Sequence, residues 1–197
     1  MTEAIVLEHK HPISESIPLF PGVPPVGQAV EEMLRVDLAG EEGAKRIYEG
    51  QLWVLKTLRS HPVAELIEHM YDQEVEHAKQ FQTWVGRHHA RPTLLAGLWH
   101  VAGFALGAGS ALLGVKAAMA CTVGVEEVID AHYQDQIKAL PEAQAPLKQF
   151  LEACRQDELE HRDHGYAQGA ESMPGFKAFA FAVRGATRLA IALSKRI

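Results

Sequence analysis

A chain of 197 residues, 47% hydrophobic and 22% charged, is long enough for one well-buried domain and too short for two of ordinary size. A net charge of -6 leaves no basic face for nucleic acid. The two cysteines, Cys121 and Cys154, are too few for a disulfide framework and read as small buried hydrophobes in a reducing compartment.

The N-terminal stretch MTEAIVLEHKHPISESIPLF lacks the basic start and apolar run of a signal peptide, and it is too acidic for a mitochondrial transit peptide. Residues 1–27, rich in Pro and Gly, are expected to form an extended arm, with one helical domain over 28–197. The first helix is expected from about Val30 to Leu58, stopped by Ser60-His61-Pro62. The second runs from about Val63 to His88, with Arg91-Pro92 beyond it. The third covers about Leu94 to Leu140, broken near Gly107-Ala108-Gly109 and loosened again at Gly114. The fourth runs from about Pro146 to Gln168 and the fifth from about Pro174 to Ser194. No alternating pattern of useful strand length is present.

Within these helices one motif recurs. Glu-x-x-His places both side chains on one helix face, one turn apart, where they can reach one metal ion. It occurs three times, at Glu8–His11, Glu74–His77 and Glu158–His161. Chance composition alone supplies about one such match. The first lies in the arm, where no helix aligns it. The other two sit on apolar stripes: Val63, Leu66, Ile67, Met70, then Phe81, Trp84, Val85 in the second helix, and Leu147, Leu151, Cys154 in the fourth. A carboxylate on such a face costs roughly several kcal/mol of desolvation unless a cation compensates. A buried Lys or Arg is the bland compensation, and neither stripe carries one near these positions.

The pattern then repeats. Glu41 lies on the stripe Leu34, Leu38, Ala44, Tyr48, Leu52, Leu55, and Glu126 on the stripe Met119, Val123, Ile129, Tyr133, Ile137, Leu140; Glu127 points off it. Glu41 precedes Glu74 by 33 residues and Glu126 precedes Glu158 by 32. The chain thus presents Glu, then Glu-x-x-His, twice at one interval. This is the ligand set of a ferritin-like four-helix bundle holding two metal ions: Glu41, Glu74, His77, Glu126, Glu158 and His161. Four carboxylates and two imidazoles suit iron or manganese better than zinc.

Residues 93–115 form an uncharged stretch of 23 residues, long enough to span a bilayer. A single crossing would put the two half-sites on opposite sides of the membrane, so the segment is expected to lie in the interface instead, dipping Leu98, Trp99, Phe104 and Leu112. A buried core hairpin is the alternative. The fifth helix, apolar with a basic end, can add to the same surface.

The stretches RVDLAGEEGAKRIYEGQ, DQEVEH, RPTLLAGLWHVAGFALGAGSALLG, MACTVGVEEVIDAHY and DELEHRDHG, in this order, closely resemble the demethoxyubiquinone hydroxylases of ubiquinone biosynthesis. The likeness runs from about Leu34 to the C-terminus, and the family's metal ligands fall on the six residues selected above. The resemblance implies a ferritin-like bundle with a membrane-associated helix, two iron ions, and O2-dependent hydroxylation of a demethoxyquinol ring. It implies roles for His132 and Tyr133 beside the site, in proton and electron delivery. From the residues alone, Tyr133 reads equally as a core tyrosine with a satisfied hydroxyl and His132 as part of a polar helix face. Two positions depart from the family pattern: Leu38 and Glu42 stand where it often has His and Tyr.

The resemblance further implies a polyprenyl benzoquinol substrate, a homo-oligomer working with other ubiquinone-biosynthesis proteins, and a peripheral site on the cytoplasmic face of a bacterial inner membrane. No dinucleotide-binding fingerprint is present, so electrons are expected from an external donor such as loosely bound NADH. An iron-oxidising, ferritin-like protein without organic substrate is the alternative that the ligand set alone allows.

Overall fold

The computed structural model describes residues 27–197. The arm expected over 1–27, with its Glu8–His11 motif, therefore lies outside the described residues except for Gly27. Six long helices follow: α1 (Gln28–Leu52), α2 (Val63–Arg87), α3 (Ala96–Leu113), α4 (Val115–Ala139), α5 (Ala145–Ala167) and α6 (Phe176–Arg196). No strand occurs among the described residues. A π-helical turn, Trp53–Leu58, prolongs α1 to the end expected of the first helix. Pro62 stands at the N-terminal boundary of α2 and Pro146 in the first turn of α5, where a missing N–H costs nothing.

The long third pattern divides differently from expectation. α3 runs unbroken through Gly107 and Gly109, and the break falls at Gly114, whose φ of 119° suits glycine and few other residues. Gly107 does not break the helix. It is buried against α1, and a Cβ there would overlap the Ile47 carbonyl. Gly50 of α1 answers it, since a Cβ at that position would overlap the Phe104 carbonyl. Small residues let the two backbones touch, so α3 lies along α1.

Two apolar clusters fill the bundle, one on each side of a polar layer. Leu34, Phe81, Trp84, Tyr133, Leu147 and Leu151 belong to one. Tyr48, Ile67, Met70, Met119 and Val123 belong to the other. Along α1 and α5 the chain passes from the first cluster to the second; along α2 and α4 it passes back. The two helices of each hairpin are therefore antiparallel, α2 and α4 run in the same direction, and each of the four crosses the polar layer at its glutamate. The chain is a pseudo-repeat: α1-α2 and α4-α5 are equivalent hairpins, with α3 packed on α1 and α6 packed on α4.

Candidate metal centre

The polar layer contains all six residues that the repeat singles out. Glu41, Glu74, His77 and Glu158 bring one atom each within 4.8 Å of one another, and so do Glu74, Glu126, Glu158 and His161. Each of the six is at most 3% exposed. Both half-sites lie in one cluster, the arrangement that a single bilayer crossing by α3 would forbid. Glu127, which the stripe places off the face, instead accepts hydrogen bonds from Tyr166 at 2.7 Å and Arg184 at 2.6 Å.

The electrostatics suit a bound cation. Burial, and then the charge of neighbouring Glu158, push the Glu74 and Glu126 carboxyls well above the ordinary carboxylate range. Burial pushes Glu158 up too, but the imidazoles of His161 and His77, with Nδ1 3.2 and 3.4 Å from its oxygens, outweigh it and hold it at about 2. Buried polar atoms without hydrogen-bond partners gather here: Glu41 Oε2, Glu74 Oε1, His77 Nδ1 and His161 Nδ1. Native interiors rarely leave such atoms unsatisfied. Glu74 and Glu158 are common to both groups that could hold a metal ion, with Glu41 and His77 completing one group and Glu126 and His161 the other.

A second repeat, which the ligand pattern alone does not reveal, surrounds the first. His77 Nε2 is 2.9 Å from Asp157 Oδ2, and His161 Nε2 is 3.1 Å from Gln73 Oε1. In each case the residue just before the Glu of one hairpin takes the N–H of the other hairpin's histidine, leaving Nδ1 for the centre. Tyr48 donates to Glu126 Oε1 at 3.0 Å, and Tyr133 donates to Glu41 Oε1. Each tyrosine stands seven residues after one glutamate and bonds the other. Tyr133 is thus both a core tyrosine with a satisfied hydroxyl and a direct neighbour of the centre.

A cavity of about 180 Å³ opens from the centre. Glu41, Glu74, Glu126 and Glu158 line it at one end, and small and aliphatic side chains of α1, α3 and α6, among them Gly103, Leu106, Ala190 and Ile191, line the rest. His132 lines it too, with Nε2 3.3 Å from Asp37 Oδ1. The four residues expected to dip into lipid divide. Leu98 and Leu112 are exposed, whereas Trp99 lines the cavity and donates its Nε1–H to Ser194 Oγ at 2.9 Å. Phe104 is half-buried between Trp53 and the guanidinium of Arg46. Leu38 and Glu42, the departures from the family pattern, line a second cavity of about 180 Å³, with Arg35 and His100, that does not reach the metal centre. Glu42 is engaged there by Lys45 at 2.9 Å and Gln82 at 3.2 Å.

Comparison with known proteins identifies the family. The family model described as ubiquinone biosynthesis protein COQ7 matches residues 28–194. A protein of Rhodospirillum rubrum named 3-demethoxyubiquinol 3-hydroxylase is 51% identical over 178 residues, covering 90% of this chain and 83% of its own. A human protein named NADPH-dependent 3-demethoxyubiquinone 3-hydroxylase, mitochondrial, is 46% identical over 173 residues, covering 86% of this chain and 78% of its own. A Saccharomyces cerevisiae protein named 5-demethoxyubiquinone hydroxylase, mitochondrial, is 34% identical over 183 residues, covering 85% and 78%. With its matched span reaching from the start of α1 to the last turn of α6, this chain belongs to the COQ7 family of ubiquinone biosynthesis.

Proposed function

We propose that this chain hydroxylates the ring of demethoxyubiquinol with O2, using two iron ions held by Glu41, Glu74, His77, Glu126, Glu158 and His161. The observation that carries the reading is the cavity: its polar end is formed by the four glutamates, and its walls are apolar and run out between α3 and α6. A prenylated ring needs such a passage, with the ring at the carboxylates and the tail toward the outside. An iron-oxidising protein would use the same ligands but has no need of that passage.

When bound, the metal pair supplies the redox chemistry that activates O2. The side chains do the remainder. The aliphatic walls exclude water and fix the ring against the centre. The Tyr133 hydroxyl holds a proton on Glu41 Oε1, and His132, half-buried in the cavity wall, offers a route for protons from outside. Electrons come from an external donor. The human relative's name carries NADPH dependence, which supports a nicotinamide nucleotide, NADH or NADPH, as their source.

The chain works as a peripheral membrane protein on the cytoplasmic face of a bacterial inner membrane, as a homo-oligomer alongside other proteins of the same biosynthesis. Exposed Leu94 just before α3, Leu98, Val101, Leu112 and Leu113 on α3, and Phe181 and Leu189 on α6 support the membrane placement. The decisive experiment is turnover by purified, iron-loaded protein given demethoxyubiquinol, O2 and a reductant. The hydroxylated quinol is the expected product; its absence with iron bound would overturn the reading. Cells lacking the protein should accumulate the precursor that lacks one methoxy group.

A further inference from the structure

Among the described residues, two line both the cavity at the metal centre and the second cavity: Trp99 and Ala39. The packing of α3 along α1 puts them side by side. Gly103 lies against Gly43 and Arg46, and Gly107 against Ile47, so one turn earlier Trp99 falls beside Ala39. Glu41, the next residue but one on α1, lines the first cavity and not the second. Ala39 offers the shared wall a single methyl group, so the partition between the two spaces is the Trp99 indole.

Trp99 is half-buried, and it is held. Its Nε1–H donates to Ser194 Oγ at 2.9 Å, and Ser194 is 2% exposed. Just before α3, the Leu94 N–H donates to the Ile197 carbonyl at 3.1 Å, a second tie between the start of α3 and the end of α6. A flat aromatic ring fixed at its one polar atom makes a stiff wall. On its far side lie about 180 Å³ of space, bounded by Leu38 and Pro92 as well as by Arg35 and Glu42. We propose that Trp99 is a specificity-determining residue: its indole, pinned by Ser194, limits the size of the ring substituent that the metal-centre cavity accepts. This rests on the hydroxylase reading and adds to it which quinol rings fit. A group longer than the cavity allows meets the indole, and the second cavity would hold it if the indole were gone. Ser194 acts through Trp99, as a positioning residue.

The test is calorimetric titration under argon of the manganese(II)-loaded protein, which exchanges no electrons with the probes. The parent probe is a short-tailed demethoxybenzoquinol. Two enlarged probes carry propoxy in place of its methoxy group, or propyl in place of its ring methyl. At least one of them should bind about tenfold or more weakly than the parent, the scale on which a closed pocket rejects an added methylene. Trp99→Ala should bring that probe to within about threefold of the parent at unchanged metal stoichiometry, since the enlarged group can then enter the second cavity. Ser194→Ala keeps the indole and removes its acceptor, and should recover about threefold or more of the lost binding. A ratio between two ligands of one protein is a reading that mere loss of stability does not move. Equal binding of all three probes by the unaltered protein would overturn the proposal, and so would full discrimination by Trp99→Ala. Where Trp99→Ala fails to fold, full discrimination by Ser194→Ala would overturn it. Failure of every probe to bind the metal-loaded protein would overturn the proposal together with the hydroxylase reading, an outcome distinct from equal binding, which leaves that reading standing.

Discussion

His77 and His161 each turn one ring nitrogen to the buried glutamates and give the other to the opposite hairpin, but they do not receive the same partner. Asp157 is a carboxylate and Gln73 an amide, so His77 is held by the stronger acceptor. Removing either partner frees the ring and weakens it as a ligand. Asp157→Leu and Gln73→Leu should each lower metal affinity about 10- to 100-fold, read by titration against a competing chelator. The site's titration makes a second expectation. Glu74 and Glu126 sit well above their ordinary 4.5, so the native, metal-free protein keeps protons that the unfolded chain releases above that pH. For His161, burial is outweighed by the adjacent Glu158 carboxylate, and its raised value adds the same sign above its ordinary 6.5. Glu158, at about 2, works the other way, but only below 4.5. Metal-free protein should therefore melt at lower temperature as pH rises from about 5 to about 8, and bound metal should remove or reverse that slope, because metal replaces the protons. The clustering of these six residues was legible because acid and imidazole on an apolar stripe are conspicuous. Their partners were not: Gln73 and Asp157 are ordinary polar letters until the angular phase of two hairpins puts them against a histidine of the other.

Between elements, glycine carried information that sequence reading assigned to the wrong cause. Gly107 and Gly109 are two residues apart on a continuous α3, yet they have opposite environments. Gly107 is buried where a side chain would run into the Ile47 carbonyl, and Gly109 is exposed with nothing within 4 Å of an added Cβ. Chain flexibility explains neither. The first is a contact between helix backbones, and the second is merely an unfavourable helix residue. Gly107→Val should cost about 1–3 kcal/mol or more in chemical denaturation, as overpacking does, whereas Gly109→Ala should leave stability unchanged or raise it by up to about 1 kcal/mol. Equal effects at both positions would contradict the close packing of α3 on α1. Helix number and length were legible from periodicity in the core helices, whose stripes end at prolines. The α3–α4 boundary was not, because in an apolar, glycine-rich run only the φ of Gly114 separates a turn from a helix.

At the scale of the whole molecule, the two hairpins hold the centre and the two extra helices, α3 and α6, cover the cavity that leads to it. α3 is the one helix among the described residues long and apolar enough to cross a membrane, but its packing along α1 and the shared metal centre favour a helix lying at the surface of a bilayer. Its outward leucines and Phe181 and Leu189 of α6 are exposed apolar side chains, and Arg188, Lys195 and Arg196 bring positive charge toward the end of α6. Apolar side chains entering the acyl boundary and cations at anionic headgroups would then act together. Vesicles containing anionic lipid should carry the protein to the top of a density gradient, and high salt should weaken this without abolishing it, since screening reaches the charges and not the buried apolar area. Val101→Glu combined with Phe181→Glu should reduce flotation strongly at unchanged melting temperature, because both side chains are exposed. The same pair should depress turnover of a long-tailed quinol more than that of a short-tailed one, since only the long tail must be collected from lipid. Undiminished flotation of the double variant would mean that the passage between α3 and α6 opens on something other than a membrane, and the long-tail and short-tail rates would then fall, or hold, together.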